Sequence, residues 1–167
     1  MTGEKPTPVT APKVRIAPDM TVPEAVSATL HAAFAQVLAN HAALIQAGQP
    51  ESIHQMRVGL RRLRATVSAF EPVLDLKDAK SLLAETNRVF SRLGDIRDAD
   101  VFLTETASVI PADPSGPRGR ELLLREVGRF RERAYKDIVA YAAGPDFARL
   151  TVRWYGWIEG DAWLRDD

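Results

Sequence analysis

Residues 51–74 have the sequence ESIHQMRVGLRRLRATVSAFEPVL, which predicts one helix whose apolar and basic residues lie on separate faces. At about 100° per residue, the apolar side chains fall within an arc of about 100°. They are Ile53, Met56, Leu60, Leu63, Val67 and Phe70. Such an arc predicts a helix that packs one face against a hydrophobic core.

A row of basic residues lies beside that apolar face. The row consists of His54, Arg57, Arg61 and Arg64. Their spacing stacks them along one edge of the helix, whereas Arg62 points elsewhere. Because like charges at these spacings repel by roughly 0.2–0.5 kcal/mol per pair, we expect an anionic partner to compensate the row.

The partner of this basic row is left open by the sequence. No acidic residue lies between Ser52 and Ala69, so the helix itself does not supply one. Carboxylates on a neighbouring helix, with Asp95, Asp98 and Asp100 as candidates, would give an internally neutralised interaction scaffold. An external polyanion whose charges repeat along the row is the alternative. A solvated basic face is less typical, because such faces usually mix Glu with Arg.

Two motifs resemble a known family. The first is HQMRVGLRRLR, from His54 to Arg64, and the second is LGDIRDADVF, from Leu93 to Phe102. Together they resemble the CHAD family, whose name stands for conserved histidine α-helical domain. The resemblance implies an all-helical domain of two pseudo-symmetric bundles, with a basic central surface that binds inorganic polyphosphate.

The resemblance also implies a polyphosphate site built from basic residues of several helices. The candidate binding residues are His54, Arg57, Arg61, Arg62, Arg64, Arg88, Arg92, Arg97, Arg125 and Arg129. For the pair at 88 and 92, an equally good interpretation is that they complement the dipole of their helix. The row that contains residues 125 and 129 is interleaved with acids, which favours an ordinary salt-bridged exterior.

Composition limits the classes of function. The chain has 167 residues, 46% of them hydrophobic, which suits one domain with a real core. Its 22 basic and 22 acidic residues balance, so an anion site must be local. The absence of cysteine excludes disulfides and thiolate metal sites. No apolar run approaches the roughly 20 residues that cross a membrane, and we expect a cytoplasmic protein, polyphosphate granules included.

No motif indicates an enzyme. The chain lacks a P-loop, a cysteine and a serine in an elbow motif, so we expect no catalytic residue, cofactor or metal ion. A minor alternative is that the acids from 95 to 100 hold Mg²⁺ beside bound phosphate. Nucleic-acid binding is the nearest rival class, because a row of arginines recognises any phosphate backbone. Neutral charge and few aromatics among the basic residues count against it.

The domain organisation follows from proline content and apolar periodicity. Residues 1–22 are rich in proline and are predicted to be a flexible segment or linker. Residues 23–167 are predicted to form an all-α, CHAD-like bundle of about six helices with an incomplete second half. In many members of the resembled family the helical domain follows a CYTH-type triphosphate-processing domain, and the proline-rich segment would suit a junction with such a partner.

Local signals predict the helix boundaries. Gly94 is predicted to cap the third helix, the acids from 95 to 100 to cap the fourth, and Asp146 to cap the last. PADPSGP, at 111–117, is the clearest break. The predicted helices are 21 to 47, 51 to 74, 76 to 93, about 95 to 110, 118 to 143, and a final one from about 146.

The aromatic end of the chain departs from the resembled family. Nothing after Lys136 supplies a second helix rich in His and Arg, which puts a closed central pore in doubt. Trp154, Trp157 and Trp163 either pack within this chain or await a partner. A homo-oligomer or a further C-terminal segment would then cover them.

Overall fold

The protein is described by a computed structural model for residues 6–47, 49–77, 79–111, 118–160 and 163. These residues form helices and no β-strand, which confirms the predicted all-α class. The helices are α1 (Val22–Ala47), α2 (Pro50–Ala69), α3 (Ala79–Val101), α4 (Ala107–Val109), α5 (Arg118–Ala142) and α6 (Pro145–Glu159). A 3₁₀ turn, Glu71–Val73, follows α2, and a π-helical turn, Phe102–Thr106, joins α3 to α4.

The start of α1 and its packing against α2 have clear local causes. Thr21 and Glu24 form a capping box, in which the Thr21 amide donates to Glu24 Oε2 at 2.7 Å and the Glu24 amide donates to Thr21 Oγ1. Gly59 lets α2 approach α1 closely, since a Cβ at this position would lie 3.1 Å from the Ala33 carbonyl oxygen. The two helices therefore pack backbone against backbone.

The core is built from the apolar faces that periodicity predicts. The α2 side chains from Ile53 to Val67 on the predicted arc are buried, and they pack with residues of α1, α3 and α6. All three tryptophans are buried, and Trp154 donates its indole N–H to Thr86 Oγ1 at 2.8 Å. The tryptophans therefore pack within this chain, as the first of the two alternatives predicts.

The predicted boundary at Gly94 is wrong. Helix α3 runs without interruption through Gly94 to Val101, so Asp95 and Asp98 lie on an exposed face inside the helix and cap nothing. Gly94 is buried, and a Cβ there would collide with Nη1 of Arg57. The guanidinium group of Arg57, which packs over position 94, accounts for the glycine rather than a left-handed helix end.

Three other predicted boundaries differ. Helix α2 ends at Ala69, because the chain turns into a 3₁₀ segment that contains Pro72, and α3 begins at Ala79. Asp146 does not cap α6: the N-cap is Gly144, and the Asp146 carboxylate instead pairs with Arg149. The predicted break at 111–117 lies outside the described residues, apart from its first proline.

Helix α5 is buried along only part of its length. Ile138 and Ala142 belong to the core, whereas Leu123 and Phe130 of the predicted apolar stripe are 43% and 44% exposed. In its middle, Arg131 of α5 pairs with the buried carboxylate of Asp100 on α3. The N-terminal half of α5 is thus fixed by polar contacts more than by burial.

Residues 6–21, which precede α1, contain no helix. Val9 lies against α1, where its N–H donates to Asn40 Oδ1 at 3.0 Å and its carbonyl accepts from Asn40 Nδ2 at 2.8 Å. Asn40 is fully buried. The linker role of residues 1–22 stays a prediction.

Candidate anion-binding groove

A groove of about 210 Å³ between α2 and α3 brings four of the predicted site residues together. It is lined by His54, Arg57, Val58 and Arg61 of α2 and by Phe90 and Arg97 of α3. None of these lining residues is a carboxylate. The groove is therefore a concentrated patch of positive charge in a chain whose net charge is zero.

Arg57 is held tightly in the floor of this groove. Its Nη1 donates to the carbonyl oxygen of Phe90 at 2.9 Å, and its guanidinium lies 4.3 Å from the centroid of the Phe90 ring. Arg64 places its guanidinium 4.7 Å from the same centroid. Phe90 therefore contacts two cations at the edge of the groove, each through a cation–π interaction.

The other basic side chains of the groove have N–H donors without a partner among the described residues. His54, Arg61 and Arg97 make no side-chain hydrogen bond or ion pair with any described residue, although each lines the groove. His54 and Arg97 are half-buried and Arg61 is exposed. Their N–H groups are available to a ligand that enters between α2 and α3.

The carboxylates of α3 do not neutralise this row, contrary to the internally neutralised alternative. Asp95 and Asp98 are exposed and form no ion pair within the described part of the chain. Asp100 is buried and pairs with Arg131 of α5, on a different side of α3. The prediction that these acids bind the arginines of α2 is therefore wrong for Asp100, and no such contact is formed by the other two.

Arg62, Arg88 and Arg92 lie away from the groove. Arg62 points to α1, where its Nη1 donates to Gln36 Oε1 at 3.4 Å. Arg88 and Arg92 line a second groove, of about 270 Å³, on the other side of α3. Arg92 there donates to the carbonyl oxygen of Asp137 at 3.0 Å.

That second groove contains both acidic and basic side chains, and most of them have hydrogen-bond or ring partners within the chain. Glu85 accepts hydrogen bonds from Arg153 at 3.1 Å and from the Tyr141 hydroxyl at 3.4 Å. Burial, reinforced by the negative charge of Glu85, raises the pKa of Tyr141, so this hydroxyl remains a donor at neutral pH. The guanidinium of Arg92 lies 5.0 Å from the centroid of the Tyr141 ring. These internal partners make the second groove a poor match for a polyanion.

Arg125 and Arg129 are exposed on α5 and line neither groove. Arg129 pairs with Glu126 at 2.8 Å, one helical turn away. This is the ordinary salt-bridged exterior that the interleaved acids favour.

Phe90, which lines the groove, and Gly94, which lies against Arg57, were not predicted as site residues. Phe90 belongs to the predicted apolar side of its helix, and Gly94 is predicted as a helix end, so neither indicates a site. The signal is their spacing with Arg97: positions i, i+4 and i+7 share one helix face. Recognising it requires that α3 continue through Gly94.

The described residues form neither a metal-binding cluster nor a membrane-spanning helix. No group of three or more His, Asp or Glu side chains there lies close enough together to hold a metal ion. No helix in that part of the chain is long and apolar enough to cross a membrane.

Comparison with known proteins agrees with the motifs. The sequence model of the CHAD domain matches residues 28–166. The crystal structure of the CHAD domain from the plant Ricinus communis superposes with a TM-score of 0.80 and 28% identity, covering 91% of this chain and 50% of the plant chain. This chain therefore spans about half the length of that relative. A search of curated proteins found no match. Since the family model covers most of the chain and the fold agrees with that of a solved member, the chain belongs to the CHAD domain family.

Proposed function

We propose that this chain is a non-catalytic binding module for inorganic polyphosphate or a similar linear polyanion, and that the groove between α2 and α3 holds the ligand. The observation that carries the proposal is the lining of the groove: three arginines and a histidine, with no carboxylate among them. Three of those side chains lack an internal partner among the described residues. A binding site for anions needs such unsatisfied donors.

The chemistry of the lining suits a chain of phosphates better than a single phosphate. Guanidinium groups form bidentate, charge-assisted hydrogen bonds with phosphate oxygens. The α2 row from Arg57 to Arg64 extends about 10 Å along the helix, at roughly 1.5 Å per residue. A linear ligand can contact several cations of the row at once, whereas orthophosphate contacts one or two.

The rival functions make different demands on this surface. An interaction scaffold with an internally neutralised row requires ion pairs to the row, and the described residues form none. A nucleic-acid module requires a surface that also engages bases, and the Phe90 ring in the groove is occupied by arginines. Both observations favour a flexible inorganic polyanion. A fused CYTH-type domain and a cytoplasmic location stay predictions.

Binding assays with three ligands test the proposal. Affinity for long-chain polyphosphate should exceed that for orthophosphate by far and should fall steeply as salt rises, because several charges engage together. Duplex DNA at the same phosphate concentration should bind more weakly, since its phosphates are held at fixed helical spacing. Equal molar affinity for polyphosphate and orthophosphate would refute the proposal, and tighter binding of DNA would favour the nucleic-acid alternative.

The substitution Arg61→Ala tests the groove itself. Loss of one charge-assisted contact should weaken polyphosphate binding by about tenfold, which corresponds to about 1.4 kcal/mol. The melting temperature should stay unchanged, because Arg61 has no partner among the described residues and Ala favours helix. Arg125→Ala is the matched control, since it removes the same charge from an exposed position on α5. Equal weakening by both variants would show that only net charge matters.

A further inference from the structure

We propose that Phe90 and Gly94 are positioning residues that hold the guanidinium groups of Arg57 and Arg64 in place for an anionic ligand. The inference rests on the proposed function and deepens it, because it assigns part of the affinity to two residues of α3 that carry no charge. Neither residue is expected to contact phosphate strongly. Their effect is exerted through the arginines that they contact.

The Phe90 ring contacts the guanidinium groups of both Arg57 and Arg64. Arg57 and Arg64 are seven residues apart on α2, about 10 Å along its axis. Their guanidinium groups nevertheless lie 4.3 Å and 4.7 Å from one ring centroid. The negative face of an aromatic ring attracts a guanidinium group, so each contact favours one position of its arginine side chain.

Gly94 leaves the carbonyl oxygen of Phe90 accessible to the Arg57 guanidinium. In an α-helix the carbonyl of Phe90 accepts from the N–H of residue 94, four positions later, and one lone pair is left over. Arg57 Nη1 uses that lone pair at 2.9 Å, passing over Gly94, where a Cβ would collide with it. The absence of a side chain at position 94 therefore leaves the space that the Arg57 guanidinium occupies. Any other residue at position 94 would displace the guanidinium.

Holding the arginines before binding strengthens binding. A mobile arginine side chain loses conformational entropy when it binds a phosphate. An arginine that Phe90 already holds in place loses less entropy on binding. The penalty for immobilising a long side chain corresponds to about twofold to tenfold in Kd for each arginine. With two arginines on one ring, we expect Phe90→Leu to weaken polyphosphate binding by about tenfold.

Polyphosphate titrations over a range of salt concentrations distinguish positioning from charge removal. Phe90→Leu removes no positive charge, so log Kd against log salt should keep its slope while affinity falls. Arg61→Ala should lower that slope. Phe90→Tyr, which retains the ring, should bind with wild-type affinity, and Gly94→Ala, which displaces only Arg57, should weaken binding by about twofold to tenfold. Unchanged affinity in both Phe90→Leu and Gly94→Ala would overturn the inference.

A second measurement requires no ligand and separates this inference from the proposed function. Nitrogen-15 relaxation of arginine side chains should show Arg57 and Arg64 ordered in the wild type and mobile in Phe90→Leu, with exposed Arg125 mobile in both. If Arg57 and Arg64 are as mobile as Arg125 in the wild type, the positioning role is wrong. If they are ordered and polyphosphate still does not bind, the positioning role stands and the proposed ligand is wrong.

Discussion

The contact between α1 and α2 can be tested with one added methyl group at Gly59. A Cβ at this position would lie 2.8 Å from Val37 Cγ2, 3.1 Å from the Val37 nitrogen and 3.1 Å from the Ala33 carbonyl oxygen. Two of those three atoms are backbone, so a side-chain rotation cannot relieve the overlap. Gly59→Ala must push the two helices apart.

The magnitude follows from two opposing contributions to the free energy of unfolding. Replacing glycine by alanine inside a helix stabilises by about 0.8–1.0 kcal/mol. Overpacking a core destabilises by about 1–3 kcal/mol. Gly128→Ala on α5 carries only the first contribution, since nothing lies within 4 Å of its added Cβ. The difference between the two variants therefore isolates the overpacking cost.

Thermal unfolding followed by circular dichroism measures that difference. For a chain of this length, 1 kcal/mol shifts the melting temperature by about 2–4 °C. We expect Gly128→Ala to melt above the wild type and Gly59→Ala to melt about 2–12 °C below Gly128→Ala. If Gly59→Ala melts as high as Gly128→Ala, then α1 and α2 do not approach as closely as described.

Two contacts between distant elements give further tests. His31 forms a hydrogen bond with Glu159 at 2.8 Å, and this bond raises the pKa of His31. The pair therefore stabilises the folded state fully below about pH 6.5, and this contribution is lost as pH rises through the raised pKa of the folded state. Melts from pH 5.5 to 8 should therefore show a wild-type advantage over Glu159→Gln only at the acidic end, and a constant difference would contradict the linkage. Thr86→Val should cost about 1–3 kcal/mol in urea unfolding, because it leaves the buried Trp154 N–H unpaired. The control Thr66→Val loses only a hydroxyl that donates to its own helix and should cost less.

Much of this fold could be predicted because helix faces are a local property of the sequence. The spacing of apolar residues in α1, α2 and α3 identifies their buried faces without reference to any other part of the chain. Helix ends were less predictable. A glycine followed by aspartate is typical of a helix end, and only the contact of Gly94 with Arg57, far away in sequence, shows that it lies inside α3.

The candidate site was predictable only in part, for a related physical reason. Periodicity places an arginine on a helix face, but the packing of helices decides which faces meet. Arg61 and Arg97 meet across α2 and α3, while Arg92, only five residues before Arg97, faces a different groove with Tyr141. Proximity in sequence is therefore a poor guide to membership of the site.

The positions of the acids on α3 also determine the charge of the groove. Asp95 and Asp98 face solvent, and Asp100 turns to Arg131 on α5. At about 100° per residue, Asp95 lies about 130° from the centre of the side that carries Phe90, Gly94 and Arg97, whereas positions 98 and 100 lie on the flanks of that side, about 70–90° from its centre. Moving an acid onto that side would provide the internal partner that the row lacks. Any side chain at position 94 would displace the guanidinium group of Arg57, and a carboxylate there would also offer it an ion-pair partner.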